Sequence, residues 1–301
     1  MIEIKNATKY FGGFKALDNI NAVIKDSAIF GLIGPNGSGK STLLKSMCGA
    51  YALDSGSIES DGQAVYENQD IKSRLIYLSD EQYFLPHSNI SEMANFYRAL
   101  YKGFDNALFD SLCAGFKLDT RKKINTFSKG MQKQTAVLLA LSARPRYLLC
   151  DETFDGLDPV MRQFVKRLFA SDTAEKGTTI VIASHNLREL EDICDHIGLL
   201  HEGGILFERE LDDMKLGLHN FQCIFPDGFV PSHETFPELA IINIKTTGSV
   251  IRLTVRGGKE EALAVLKRHE PIFLESLPLT LEEIFIEEME AIGYDFSNLI
   301  G

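Results

Sequence analysis

The 301-residue sequence predicts an α/β fold, and three observations carry that prediction. Short apolar runs alternate with helical stretches through the first two thirds of the chain, as strands and helices do in one layered domain. Two runs, Tyr147–Cys150 and Thr179–Ala183, are almost wholly apolar, as expected of strands covered on both faces. A glycine-rich segment stands directly between a strand candidate, Ile29–Ile33, and a helix candidate, Lys40–Cys48.

Taken in order, the further strand candidates are Arg74–Leu78, Tyr147–Cys150, Thr179–Ala183, Ile197–Leu200 and Ile205–Glu208. The helix candidates are Ile90–Tyr101, Asn106–Phe116, Lys129–Leu141, Pro159–Ala170 and Leu187–Cys194. Pro86 and the polar residues before Ile90 open a helix-rich subdomain over about 84–145. The segment Asn220–Pro237 has three prolines and little periodicity, which predicts a linker. Beyond it, Ala240–Lys245 and Val250–Val255 read as a hairpin around Thr247-Gly248. Lys259–His269 reads as a helix, Ile272–Leu277 as a short strand, and Leu281–Ala291 as an acidic amphipathic helix. The organisation is therefore an α/β domain over 1–215 and a small C-terminal α+β domain over 220–301, with an accessory or dimerisation role expected of the latter.

Composition narrows the function. With 31 Lys+Arg against 42 Asp+Glu the net charge is −11, which argues against a general nucleic-acid coat. The longest uninterrupted apolar run, Ala136–Leu141, has six residues, far short of the ~20 a membrane span needs. The opening MIEIKNATKYF has no basic stretch followed by an apolar core, so no secretory signal is expected. Five dispersed cysteines without a CxxC pair indicate buried thiols in a reducing compartment.

The chemistry is concentrated in Gly34-Pro35-Asn36-Gly37-Ser38-Gly39-Lys40-Ser41-Thr42, which satisfies GxxxxGK[ST] between a strand and a helix start. The glycines let backbone N–H groups converge on phosphate oxygens, and the helix adds its positive end. Lys40 suits the β- and γ-phosphates, Ser41 offers a hydroxyl to Mg²⁺, and Thr42 faces the inner phosphates. A second motif, Tyr147-Leu-Leu-Cys-Asp151-Glu152, is an apolar strand ending in two carboxylates. Beside a phosphate loop, Asp151 is suited to Mg²⁺ through its water shell and Glu152 to polarising an attacking water.

With these motifs in place, residues 1–215 resemble the ATP-binding cassette (ABC) ATPases, a family built on the P-loop NTPase core. Phe127-Ser-Lys-Gly-Met-Gln132 stands where that family has its signature motif, Gly156-Leu-Asp158-Pro159 resembles its D-loop, and Ser184-His185 its switch histidine. Phe11 fits the aromatic position that stacks on adenine. The resemblance implies a homodimer formed on ATP binding, with two nucleotides sandwiched between copies. Ser128, Lys129 and Gly130 of one copy would then face the γ-phosphate held by the other, and His185 would bridge Glu152, that phosphate and the partner's D-loop near Asp158. It implies ATP and Mg²⁺ as the small-molecule requirements, with Lys40, Asp151, Glu152 and His185 catalytic.

The sequence departs from the family pattern at three places, one of them Thr153, which stands where many relatives have proline after the Asp-Glu pair. Asp80 occupies the position of the Q-loop glutamine, where it can still ligate Mg²⁺ beside Ser41 and Asp151. Lys129 replaces the signature's first glycine, and Lys129 of one copy is expected to offset Asp80 of the other. The 111 residues from Lys40 to Asp151 leave no room for the long coiled coil of chromosome-maintenance ATPases, and a single cassette differs from the paired ones of ribosome-associated relatives. The signature style, the acidic Q-loop position and the ending Leu279–Ile286 resemble ATPases of bacterial drug, antibiotic and peptide exporters. The expectation is an export ATPase, peripheral to the inner face of the cell membrane. A separate transmembrane permease would dock at Tyr83, Phe84, Leu85 and Pro86, and no nucleic acid would bind. The alternatives are a stand-alone soluble ATPase acting on ribosomes or DNA, and a lipid exporter.

Overall fold

The computed structural model describes residues 1–211, 218–226, 229, 231–277 and 283. The chain divides into two compact units, Met1–Arg209 and Glu210–Gly301.

The first unit opens with an antiparallel sheet absent from the predicted strands. Strands β1 (Ile2–Phe11) and β2 (Phe14–Ile24) form a hairpin, and β1 also pairs with β4 (Ser55–Ser60), which carries β5 (Gln63–Ala64) on its other edge. Its alternation is hard to read because the β1–β2 register shifts three times between Ile4 and Tyr10, and each bulge changes which residues face inward.

The second sheet holds β3 (Ile29–Ile33), β6 (Leu75–Leu78), β7 (Tyr147–Asp151), β8 (Thr179–Ser184), β9 (His196–His201) and β10 (Gly204–Glu210) in the order β10-β9-β3-β8-β7-β6. From β9 to β6 every pairing is parallel. Strands β3, β7 and β8 are buried at every residue, as their apolar composition predicts. Helix α1 (Lys40–Met47) contributes Leu43, Leu44 and Met47 to a core shared with Ile2, Ile20 and Leu149, each such side chain stabilising by roughly 1.5–3 kcal/mol.

Helix α2 (Gln69–Lys72) precedes β6, and the insertion carries α3 (Ile90–Leu100), α4 (Asn106–Phe116) and α5 (Lys129–Ser142). Helix α3 begins where a capping box joins Asn89 and Glu92. Helix α6 (Pro159–Lys176) outruns the predicted end at Ala170, because nothing stops it before Gly177, which takes φ +73° at the C-cap. Helix α7 (Leu187–Leu190) is shorter than the predicted Leu187–Cys194: the N–H groups of Ile193 and Cys194 both return to the Leu190 carbonyl as the chain turns toward β9.

In the second unit the expected linker is corrected. Its first residues form β11 (Leu218–Ile224), an inner strand of an antiparallel sheet ordered β12-β13-β11-β14, with β12 at Ala240–Thr247, β13 at Val250–Arg256 and β14 at Phe273–Leu277. The alternation Phe221, Cys223, Phe225, all buried, outweighs the prolines that follow it. Helix α8 (Lys259–Arg268) buries Ala262, Val265 and Leu266 in the same core as Phe221, Leu253 and Val255. The predicted helix Leu281–Ala291 lies, apart from Glu283, outside the described residues.

Candidate functional site

Parallel strands all end at one edge of their sheet, and here the ends are level: Ile33 of β3 is opposite Ser184 of β8, and Ala183 of β8 is opposite Asp151 of β7. Residues that follow β3, β7 and β8 therefore meet, as expected at the carboxyl edge of an open α/β sheet.

After β3 the glycine loop packs tightly. A Cβ on Gly34 would lie 2.3 Å from the Leu200 carbonyl oxygen, and Gly39 takes φ +110° with its Cβ direction 2.6 Å from the Ala16 carbonyl. Gly39 gives α1 no side-chain cap, and the first turn carries no acidic residue, so the helix start offers N–H groups and positive potential to an anion. The Lys40 ammonium is buried, donating to the carbonyls of Gly34 at 2.7 Å and Pro35 at 3.2 Å, and it lies 3.5 Å from Glu152 Oε1. Ser41 is exposed and Thr42 half-buried at the helix start.

Asp151 ends β7 in a buried position. Its Oδ2 accepts a hydrogen bond from the Tyr77 hydroxyl at 2.9 Å, while Oδ1 is buried with no hydrogen-bond partner. Burial, reinforced by the Asp151 charge, pushes the Tyr77 phenol well above its usual range and keeps it a donor. Glu152 follows with φ +46°, a left-handed conformation unusual for a glutamate. Its N–H donates to the Ala183 carbonyl at 2.9 Å and its own carbonyl accepts from Lys133 Nζ at 2.5 Å. The side chain reaches between two basic groups: Oε2 is 3.0 Å from His185 Nδ1 on one side, with Lys40 on the other. Asp155 joins this group, since ligand atoms of Glu152, Asp155 and His185 lie within 4.8 Å of one another.

His185 is held from behind. Ser184 Oγ donates to Glu189 Oε2 at 3.1 Å and accepts from the Asn186 N–H at 3.0 Å, and Glu189 Oε1 lies 3.4 Å from Arg162. Burial raises the Glu189 carboxyl above its usual range, with Arg162 partly opposing the shift.

Lys40, Glu152 and His185 are thus joined by direct contacts, with Asp151 next in chain. The other predicted residues stand elsewhere. Ser128 caps α5, accepting from the Met131 N–H at 3.3 Å, and Lys129 is exposed. Gly130 packs against the Gly156 carbonyl, which a Cβ would approach to 2.7 Å. Phe11, 45% exposed, meets Tyr51 edge-on at 5.3 Å. Asp158 caps α6 through bonds from the N–H groups of Val160 and Met161, both 3.0 Å. Tyr83 is 78% exposed, Leu85 and Pro86 are exposed and Phe84 is half-buried.

Asp80 has a partner in its own chain. Its Oδ1 accepts from Lys133 of the same chain at 3.0 Å, so part of its charge is already offset within one copy, and Lys129 is not its first partner there. Tyr77, Lys133 and Asp155 escaped the sequence reading. Only the position of Tyr77 inside a strand that ends two residues before Asp80 hinted that it faces the site.

Residues 17–155 match the family model for the ABC transporter. The ABC transporter ATP-binding protein YtrB of Bacillus subtilis is 30% identical over 286 residues, 95% of this chain and 97% of YtrB. The chain belongs to the ABC transporter ATP-binding proteins. This ABC ATPase is also 33% identical over 220 residues to the bacitracin transport ATP-binding protein BcrA of Bacillus licheniformis, 71% of each chain. A solved structure of the ATP binding subunit of an ABC transporter superposes with a TM-score of 0.66 at 25% identity, covering 71% of this cassette and 92% of that chain. The family assignment accounts for the loop-and-strand geometry: a P-loop NTPase core that binds and hydrolyses ATP.

Proposed function

We propose that this cassette powers export through a separate membrane subunit, hydrolysing ATP between two copies of itself with Glu152 as the base. The observation that carries the reading is the Glu152 carboxylate, held between Lys40 and His185 at the level ends of β7 and β8. Lys40 and the N–H groups at the start of α1 bind the β- and γ-phosphates, and Phe11 stacks on adenine. Glu152 orients a water and takes its proton as the γ-phosphoryl leaves. His185 holds the carboxylate and the developing charge.

Mg²⁺ fits the donors present: the buried Asp151 Oδ1 lacks a hydrogen-bond partner and Ser41 offers an exposed hydroxyl, both hard oxygens. When bound, it would offset negative charge on the phosphate oxygens. Asp80 is a further proposed ligand, its Oδ1 also accepting from Lys133 at 3.0 Å.

Ser128 and Gly130 of the second copy close the site over the γ-phosphate. No helix among the described residues is long and apolar enough to cross a membrane. The exposed Tyr83–Pro86 segment is the surface proposed for its docking, at the cytoplasmic face. Export of a peptide, antibiotic or drug is favoured by the likeness to a relative named for bacitracin transport. The second unit has no comparable cluster of acidic, histidine or cysteine side chains among the described residues and enters as support for the paired copies.

Glu152→Gln tests the base. Removing a general base should lower steady-state phosphate release by about 10²-fold or more while an ATP-bound dimer accumulates on a sizing column. Hydrolysis near the wild-type rate overturns the assignment.

A further inference from the structure

We propose that Lys133 is a positioning residue that anchors the peptide of Glu152 and ties it to Asp80, a role that rests on Glu152 being the base. The Lys133 side chain is only 8% exposed, and a buried ammonium needs compensating partners. The two it finds come from different elements: Asp80 Oδ1 beyond β6 at 3.0 Å, and the Glu152 carbonyl beyond β7 at 2.5 Å.

The second contact has a consequence for geometry. A non-glycine residue in the left-handed region costs about 1–3 kcal/mol and persists only where its surroundings impose it. At Glu152, with φ +46°, they do so on both sides, since Ala183 holds the N–H and Lys133 holds the carbonyl. Those two bonds fix the direction of the Cα–Cβ bond and so aim the carboxylate between Lys40 and His185. Without the ammonium, the peptide is free to return to an ordinary conformation, and the carboxylate swings out of line.

Asp80 is the movable end of this link. Its side chain is 58% exposed, on the rim of a cavity of about 480 Å³ also lined by Glu81, Gln82, Lys129 and Asp155. It lies three residues before the Tyr83–Pro86 segment, so displacing that segment draws the carboxylate off Lys133. Lys133 then passes a change at residues 81–86 to the glutamate's backbone.

The test compares Lys133→Met, Lys133→Arg and Asp80→Asn in the purified full chain, recording kcat and KM for ATP, binding of a fluorescent trinitrophenyl-ATP, and melting temperature. Loss of a hydrogen bond from a charged donor should lower kcat roughly tenfold or more in Lys133→Met, with KM and nucleotide binding unchanged. Lys133→Arg, which keeps a cation able to reach both acceptors, should recover most of that loss. Asp80→Asn, which weakens only the partly exposed pair, should cost about two- to fivefold. A Lys133→Met protein that melts lower but keeps wild-type kcat shows a purely structural lysine and overturns the proposal. If Lys133→Met does not fold, wild-type kcat in both Lys133→Arg and Asp80→Asn overturns it equally. Glu152→Gln run alongside separates the two ideas. Its inactivity beside active Lys133 variants rejects only the positioning role, whereas its activity rejects the base on which that role rests.

Discussion

The six-stranded sheet of the first unit and the four-stranded sheet of the second treat their polar side chains in opposite ways. In the six-stranded sheet the strands from β9 to β6 run parallel, so loops as far apart in the chain as those of Lys40 and His185 deliver Lys40, Glu152 and His185 to one edge. In the β11–β14 sheet neighbouring strands run antiparallel, and successive strand ends leave in opposite directions. Its buried polar residues, Asn220 and Thr254, sit opposite one another within the sheet, away from the strand ends. Convergence of chemistry follows from strand direction, and one sheet is a site while the other is a scaffold.

The largest expected effect bears on the scaffold. Phe221 is fully buried on the central strand β11, and Phe221→Ala should cost about 3–5 kcal/mol through lost burial and the cavity left behind. The damage should fall on the second unit, read as early proteolysis between residues 218 and 277, with the ATPase rate of the surviving chain unchanged. A matching fall in kcat would show that the two units are not separable in this way.

A smaller effect is expected at the edge where chemistry gathers. Among the described residues, Tyr77→Phe removes the one side-chain hydrogen bond to the Asp151 carboxylate and leaves a buried charge less satisfied. The expected cost is about 1–3 kcal/mol in stability, which for a unit of this size lowers the melting temperature by a few degrees per kcal/mol. If Asp151 holds Mg²⁺, the metal supplies part of the missing compensation, and added Mg-ATP should recover more of the lost stability in the variant than in the wild type. Equal recovery in both would detach Tyr77 from the metal site.

The same contrast explains what was legible in the sequence. The glycine loop, the Asp151-Glu152 strand and Ser184-His185 are local patterns, each set by a few consecutive residues and the element they end. Lys133 and Tyr77 matter only through register between β6, β7 and α5, which no window of sequence contains. Strand β1 was lost to bulges and β11 to the prolines at 226, 231 and 237, whose turn signal masked a two-residue alternation. The pairing first expected for Asp80 used the nearest charge in the signature motif. The partner within the chain lies one helical turn further along α5, on the same face at i+4 from Lys129.

Asp158 gives the finest discrimination, because its side chain already has one demonstrable task. Its Oδ1 accepts from two N–H groups at the start of α6, and Asp158→Ala should cost about 1 kcal/mol as a lost N-cap. Asn caps nearly as well as Asp, so Asp158→Asn should leave the melting temperature within a degree or two of wild type while removing the charge. The proposed contact with a second copy can therefore be read separately from helix stability. In a Glu152→Gln background, ATP-dependent dimerisation weakened by Asp158→Asn places the charge at the interface between copies. Dimerisation that follows only the stability loss of Asp158→Ala confines Asp158 to its own helix, and the site edge would then meet its partner through other residues.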